Sequence, residues 1–251
     1  MGDSDNAPLL DNVESQSAFT ESRQADCDES QVSRFSGTTW NVFGATIHYL
    51  VQTLVGACVC VTMWFAFKTV PVNAYQLHIG LSVIGYQLLM AHGIICLRSS
   101  GWSFLSVKHR RRVHWILQLL GSVIAIAGSA VMINEKSIHF NTVHGKLALA
   151  ALIFTCASLI NGLTSLYSVE LRRFIPWKLS KISHIILGTA AFALSSACLV
   201  FGYNKNSFKK WASEEFAYVL IGVVITYTAV VIIAPCYFVL RRICCTEFKL
   251  F

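Results

Sequence analysis

Beyond residue 40 the chain is almost fully accounted for by six apolar stretches, at about residues 41 to 67, 75 to 97, 113 to 133, 144 to 168, 182 to 203 and 216 to 240. Each has the roughly 20 residues that a helix needs to cross a hydrocarbon core about 30 Å thick. Backbone N–H and C=O groups find no water there, and unbroken apolar runs of this length satisfy them as helices. Composition agrees, with 55% hydrophobic and 13% charged residues, outside the range of a water-soluble domain. The expectation is an all-α membrane protein with six transmembrane helices, its membrane domain covering residues 41–242.

The flanks set an orientation. Residues 1–40 hold eight acidic residues, two arginines and few large apolar groups, which predicts a disordered acidic tail. No basic region followed by a short apolar core opens the sequence, so no cleavable signal peptide is expected and the first span directs insertion. With the N-terminus in the cytoplasm, 14 Lys and Arg flank the spans on the cytoplasmic side and six on the other. Both termini, including a short tail at residues 243–251, are therefore predicted cytoplasmic. The basic run of Lys108, Arg110, Arg111 and Arg112 is first a topology signal; attraction of an anionic substrate is a second role it can carry. Nucleic acid is not an expected partner.

Nine cysteines scatter along the chain, six of them in spans. Cys27, Cys244 and Cys245 fall on the reducing cytoplasmic side, so no disulfides are expected. Cys244 and Cys245 are placed for palmitoylation, or stay unmodified. DNAPLL, residues 5 to 10, matches the acidic dileucine pattern that sorting adaptor proteins read. It points to endosomal, lysosomal or other intracellular vesicle membranes, ahead of the endoplasmic reticulum or plasma membrane.

Eight histidines carry the most information, because ionisable groups are costly inside a bilayer. His78, His114, His144 and His184 stand near the starts of spans two, three, four and five. Consecutive spans run in opposite directions, so His78 and His144 come to the non-cytoplasmic face and His114 and His184 to the cytoplasmic face. Each pair offers two imidazoles. A bare zinc or iron would call for carboxylates or thiolates as well, and the acidic residues after position 40 (Glu135, Glu170, Glu214, Glu215 and Glu247) all lie in loops or tails. A haem asks the protein for two axial ligands only, so two b-type haems are the better fit, with irons on the order of 20 Å apart. Four unrelated bundle histidines are the bland alternative. In another scheme His92, 14 residues after His78, is a second ligand on the same helix; otherwise it is a polar neighbour of the cytoplasmic haem. His48 suits a structural hydrogen bond or the haem periphery. His109 belongs to the basic run, which reads as a cytoplasmic loop. His139, beside Phe140, Asn141 and Lys146, is placed to touch an electron acceptor.

The stretches QLHIGLSVIGYQLLM, RVHWILQLL, TVHGKLAL and ISHIILGTAAFALSSACLVFG, around His78, His114, His144 and His184, resemble the cytochrome b561 family. They are most like its branch of cytochrome b561 domain-containing transmembrane reductases, over roughly residues 40 to 242. The resemblance implies that helices 2 to 5 form a four-helix bundle around two b-type haems, ligated by His78 with His144 and by His114 with His184. It also implies electron transfer from cytosolic ascorbate to ferric iron, as a chelate, or to monodehydroascorbate across the membrane. On that reading Lys108, Arg110, Arg111 and Arg112, with Arg172 and Arg173, draw in ascorbate, and His139 contacts the acceptor. A homodimer is compatible with the sequence. The rival readings are a haem-free transporter with histidine proton relays and a membrane scaffold.

Overall fold

Side-chain caps set the starts of the helices that carry His78, His114 and His144. In the computed structural model, which describes residues 39, 41–97, 102, 104–167 and 176–247, six helices are long and apolar enough to cross a membrane. They are α1 (Asn41–Ala66), α2 (Ala74–Ile95), α3 (Val107–Glu135), α4 (Val143–Leu166), α5 (Trp177–Tyr203) and α7 (Glu214–Glu247), with a short α6 (Asn206–Ala212) between the last two. Two units divide the chain at residue 47: the first contributes only the start of α1 to the described structure, and His48–Phe251 holds the rest. DNAPLL, Cys27, Arg172 and Arg173 lie outside the described residues, as do the side chains of Cys244 and Cys245.

At α2 the cap is a reciprocal pair: Asn73 accepts from the Gln76 N–H at 3.0 Å, and the Gln76 side chain accepts from the Asn73 N–H at 2.7 Å. Ser106 caps α3 and Thr142 caps α4, each accepting from a backbone N–H three residues on. Such caps contribute about 1 kcal/mol apiece, and here they also fix where the helices that carry His78, His114 and His144 begin, whereas α5, with His184, starts after Pro176 without a side-chain cap.

The start of α3 corrects one expectation. The basic run is helical rather than loop, because Ser106 caps the helix six residues before the apolar stretch begins and lysine and arginine are good helix formers. His109 therefore sits in the first turn, its ring 2.7 Å from the Ser106 hydroxyl. His114 is two turns into α3, as His184 is into α5, whereas His78 and His144 stand within five residues of their helix starts.

Helices α2 to α5 close a four-helix bundle. It consists of two hairpins, α2–α3 and α4–α5, each packed far more tightly within itself than against the other. Close packing within the first rests on small residues. A Cβ built on Gly85 would stand 2.7 Å from the Ala125 nitrogen and the Gly121 carbonyl oxygen, so the two backbones nearly touch. Around this contact α2 widens into a π-helical stretch, Val83–Met90, a feature that often marks functional sites.

Outside the bundle, α1 is joined to α5 by a hydroxyl pair, Thr62 with Tyr203 at 2.6 Å. Phe65 of α1 meets Phe208 of α6 with ring centroids 4.9 Å apart. The Tyr227 hydroxyl of α7 donates to the Gln87 side-chain amide oxygen at 2.7 Å, tying α7 to the middle of α2. Large apolar side chains cover the outer faces, among them Trp64 (71% exposed), Ile160 (66%) and Ile233 (61%). Such a surface suits lipid rather than water.

Candidate cofactor site

The four histidines singled out in the sequence meet as two pairs. His78 of α2 and His144 of α4 have ring centroids 6.4 Å apart, and His114 of α3 and His184 of α5 are 6.2 Å apart. Their planes are nearly perpendicular, at 84° and 89°. Each pair joins one imidazole from each hairpin, so the sites lie between the hairpins at opposite ends of the bundle.

Every one of these rings is held by a carbonyl of its hairpin partner. Nδ1 of His78 bonds Gly128 O at 2.9 Å, and Nδ1 of His114 bonds Gly93 O at 2.6 Å. In the other hairpin, Nδ1 of His144 bonds Cys198 O at 3.1 Å and Nδ1 of His184 bonds Ser158 O at 3.1 Å. A carbonyl can only accept, so each Nδ1 carries the proton and each Nε2 keeps its lone pair. Metal-ligating histidines are oriented in this way.

The spacing can be tested against a shared metal. Two metal–imidazole bonds of about 2.0 Å and two ring radii of about 1.2 Å separate centroids by roughly 6.4 Å, matching both pairs. Among the described residues no group of three or more His, Cys, Asp and Glu forms a metal site. Two nitrogens per site therefore suit a group that brings its other donors, as a porphyrin does.

Room is also present. A cavity of about 490 Å³ opens beside His78 and His144, within the range of about 300–1,000 Å³ for cofactor sites. Its inner wall is Tyr86, Gln87 and Ala151, and its mouth carries His139, Phe140, Asn141, Lys136 and Lys205. At the other end the absence of a side chain on Gly162 makes space for an imidazole: a Cβ there would stand 3.1 Å from Cε1 of His184.

The remaining candidates separate. Lys108, Arg111 and Arg112 are exposed. Arg110 is half-buried, four residues before His114 and so on the same helix face. Its Nε and Nη1 are buried and have no hydrogen-bond partner among the described residues, an arrangement that an anionic group would relieve. His92 bonds the Leu88 carbonyl of its own helix at 2.7 Å, and no other imidazole ring stacks with it among the described residues. His48 is buried, edge-on to Tyr49 at 5.4 Å. Lys146 is exposed and does not line the cavity. Lys136 and Lys205 do, and in the sequence they stand only as charges flanking spans. Lys205, though largely exposed, has its pKa lowered by partial burial and by the neighbouring charge of Lys136.

Histidine pairs built between two transmembrane hairpins, with every Nδ1 anchored to a carbonyl, define a bundle of the membrane-cytochrome class. Residues 77–209, more than half of the chain, match the family described as eukaryotic cytochrome b561, and the chain belongs to that family. It is 31% identical over 138 residues to proteins named transmembrane reductase CYB561D2 from Mus musculus and Homo sapiens, and 30% to the one from Bos taurus. The match covers 52% of this chain and 61% of each relative's length. No solved structure matches the chain.

Proposed function

We propose that the chain is a transmembrane oxidoreductase that takes electrons from ascorbate on the cytoplasmic side. They pass to a ferric chelate or monodehydroascorbate on the other side. His114 and His184 hold one b-type haem at the cytoplasmic end and His78 and His144 hold a second at the far end. The reading rests above all on the two histidine pairs, whose spacing and carbonyl anchors fit bis-imidazole ligation. The reductase names of the three mammalian relatives point the same way. When bound, such a haem supplies a reversible one-electron couple with no open coordination position.

The protein's own residues provide orientation, dryness and charge. Gly93, Gly128, Ser158 and Cys198 hold the rings through their carbonyls. Tyr86, Met90, Ala125 and Ala151 form a buried cluster, and Tyr86 lies midway along α2 between His78 and Gly93, which keeps water out between the two ends. Arg110 is the donor-side cation best placed to grip an anion, while Lys108, Arg111 and Arg112 add to the field that attracts it. The membrane domain is residues 41–242, between cytoplasmic tails at 1–40 and 243–251, with DNAPLL as an adaptor signal for vesicle membranes.

Sealed vesicles with ascorbate on the cytoplasmic face should reduce ferric citrate on the other. Arg110→Gln should raise the ascorbate concentration required by about tenfold, the loss of one charged hydrogen bond, with unchanged haem content. Vesicles that contain both haems but fail to reduce ferric citrate would rule out ascorbate as donor or ferric chelate as acceptor.

A further inference from the structure

Of the four carbonyls that hold the ligand rings, three stand inside a helix and one at a helix end. Gly128 of α3, Ser158 of α4 and Cys198 of α5 each have a helical residue four positions on, whose N–H is directed at the same oxygen. Gly93 does not. The residue four positions after it is Leu97, beyond the end of α2, and its N–H bonds Ile94 O instead at 3.3 Å. A side chain takes the place: the Cys96 thiol donates to Gly93 O at 3.1 Å. Cys96 is fully buried, and its sulfur also stands 3.7 Å from Arg110 O, the helical acceptor of the His114 N–H. One thiol therefore touches both carbonyls that hold His114, the one that takes its ring and the one that takes its backbone.

A thiol is a weaker donor than a peptide N–H. Each donor draws electron density from the oxygen it bonds, so a carbonyl whose second donor is weak binds the first more strongly. The ring distances follow that order: Nδ1 is 2.6 Å from its carbonyl at His114, against 2.9 Å at His78 and 3.1 Å at His144 and His184. These contacts all lie on the Nδ1 side of the imidazole, across the ring from the Nε2 that would face a cofactor.

We propose that Cys96 is a positioning residue for His114: its thiol sets how strongly Gly93 O holds the ring, and through it the reduction potential of the cytoplasmic haem. The inference rests on the haem assignment proposed above and adds a residue that tunes one of the two sites. A strongly held Nδ1–H makes the imidazole a more electron-rich ligand, which favours ferric iron and lowers the potential.

Two substitutions should pull in opposite directions. C96A removes the second donor and tightens the His114 bond; at a fixed ambient potential the ratio of reduced to oxidised cytoplasmic haem should fall about threefold, or about 30 mV at 59 mV per tenfold for one electron. C96S puts a stronger donor in place of the thiol. Ser195 shows that a serine reaches the carbonyl three residues before it, bonding Phe192 O at 2.8 Å. C96S should therefore loosen the His114 bond and raise the same ratio by about threefold. The component that moves should be the one lost in His114→Ala. Cys58→Ala, which removes an equally buried thiol from α1, should move neither component.

A second readout needs no haem. The S–H stretch falls in an infrared window clear of other protein bands, and the parent-minus-C96A difference spectrum should show the band of a hydrogen-bonded thiol. A free-thiol band there would overturn the proposal. So would potentials that shift with the same sign in C96A and C96S, the mark of loosened packing, or that do not shift at all. A parent protein without reducible b-type bands would sink the haem assignment and the tuning with it, whereas bands present with unmoved potentials would sink the role of Cys96 alone.

Discussion

His78→Ala should abolish one haem and leave the other, cutting the reducible b-type absorbance by about half. His144→Ala should remove the same component, and the double variant should be no worse than either single change, because both ligands serve one site. His114→Ala and His184→Ala should remove the other component. The protein should still fold, since each lost ring forfeits only one interhelical bond to a carbonyl, worth about 0.6 kcal/mol in a membrane. Any of the four changes should lower electron transfer across the vesicle membrane by more than about a hundredfold, while the surviving haem remains reducible from its own side. Loss of the same haem on changing His78 and His114 would refute the pairing seen in the bundle. Difference spectra of the purified variants decide the matter.

Gly85→Leu should act on the whole bundle. The atoms that a Cβ would meet there are backbone, Ala125 N and Gly121 O at 2.7 Å, and backbone in a packed helix cannot rotate away. Helix α2 must then move off α3, at a cost of about 3 kcal/mol, the upper end of ordinary overpacking. The functional loss should exceed the stability loss, because α2 carries both His78 and the Gly93 carbonyl that orients His114. Both haems should be lost or weakly held. Gly222→Ala is the contrast: nothing lies within 4 Å of a Cβ at that position, and the variant should behave as the parent. Thermal denaturation in detergent, read with the haem spectrum, separates the two cases.

The parts of this architecture that sequence could reveal are those written in one dimension. Span positions follow from apolar length, and the helices found differ from the expected spans by a few residues except at the start of α3 and the end of α7. The histidine pairs follow from parity, since alternate helices enter from alternate faces. What stayed hidden depends on phase and on contacts between distant segments. Arg110 differs from Arg111 and Arg112 only in lying one helical turn before His114; that signal was available, but assigning the basic run to a loop concealed it. The carbonyl partners could not be anticipated, because a backbone oxygen has no sequence signature. Neither could the π-helical widening of α2, which accompanies a close approach to Gly121 and Ala125. Lys136 and Lys205 lie 69 positions apart, and only the folding of the two hairpins brings them to one mouth.

Purified protein titrated with ascorbate in the visible range tests cofactor and donor together. Two bis-imidazole sites at opposite ends of the bundle should give b-type bands that ascorbate reduces in two resolvable steps, with the His78/His144 component disappearing in His78→Ala. A protein that is folded and membrane-inserted but shows no reducible b-type bands would contradict the haem assignment outright. Bands that dithionite reduces and ascorbate leaves oxidised would contradict the donor alone.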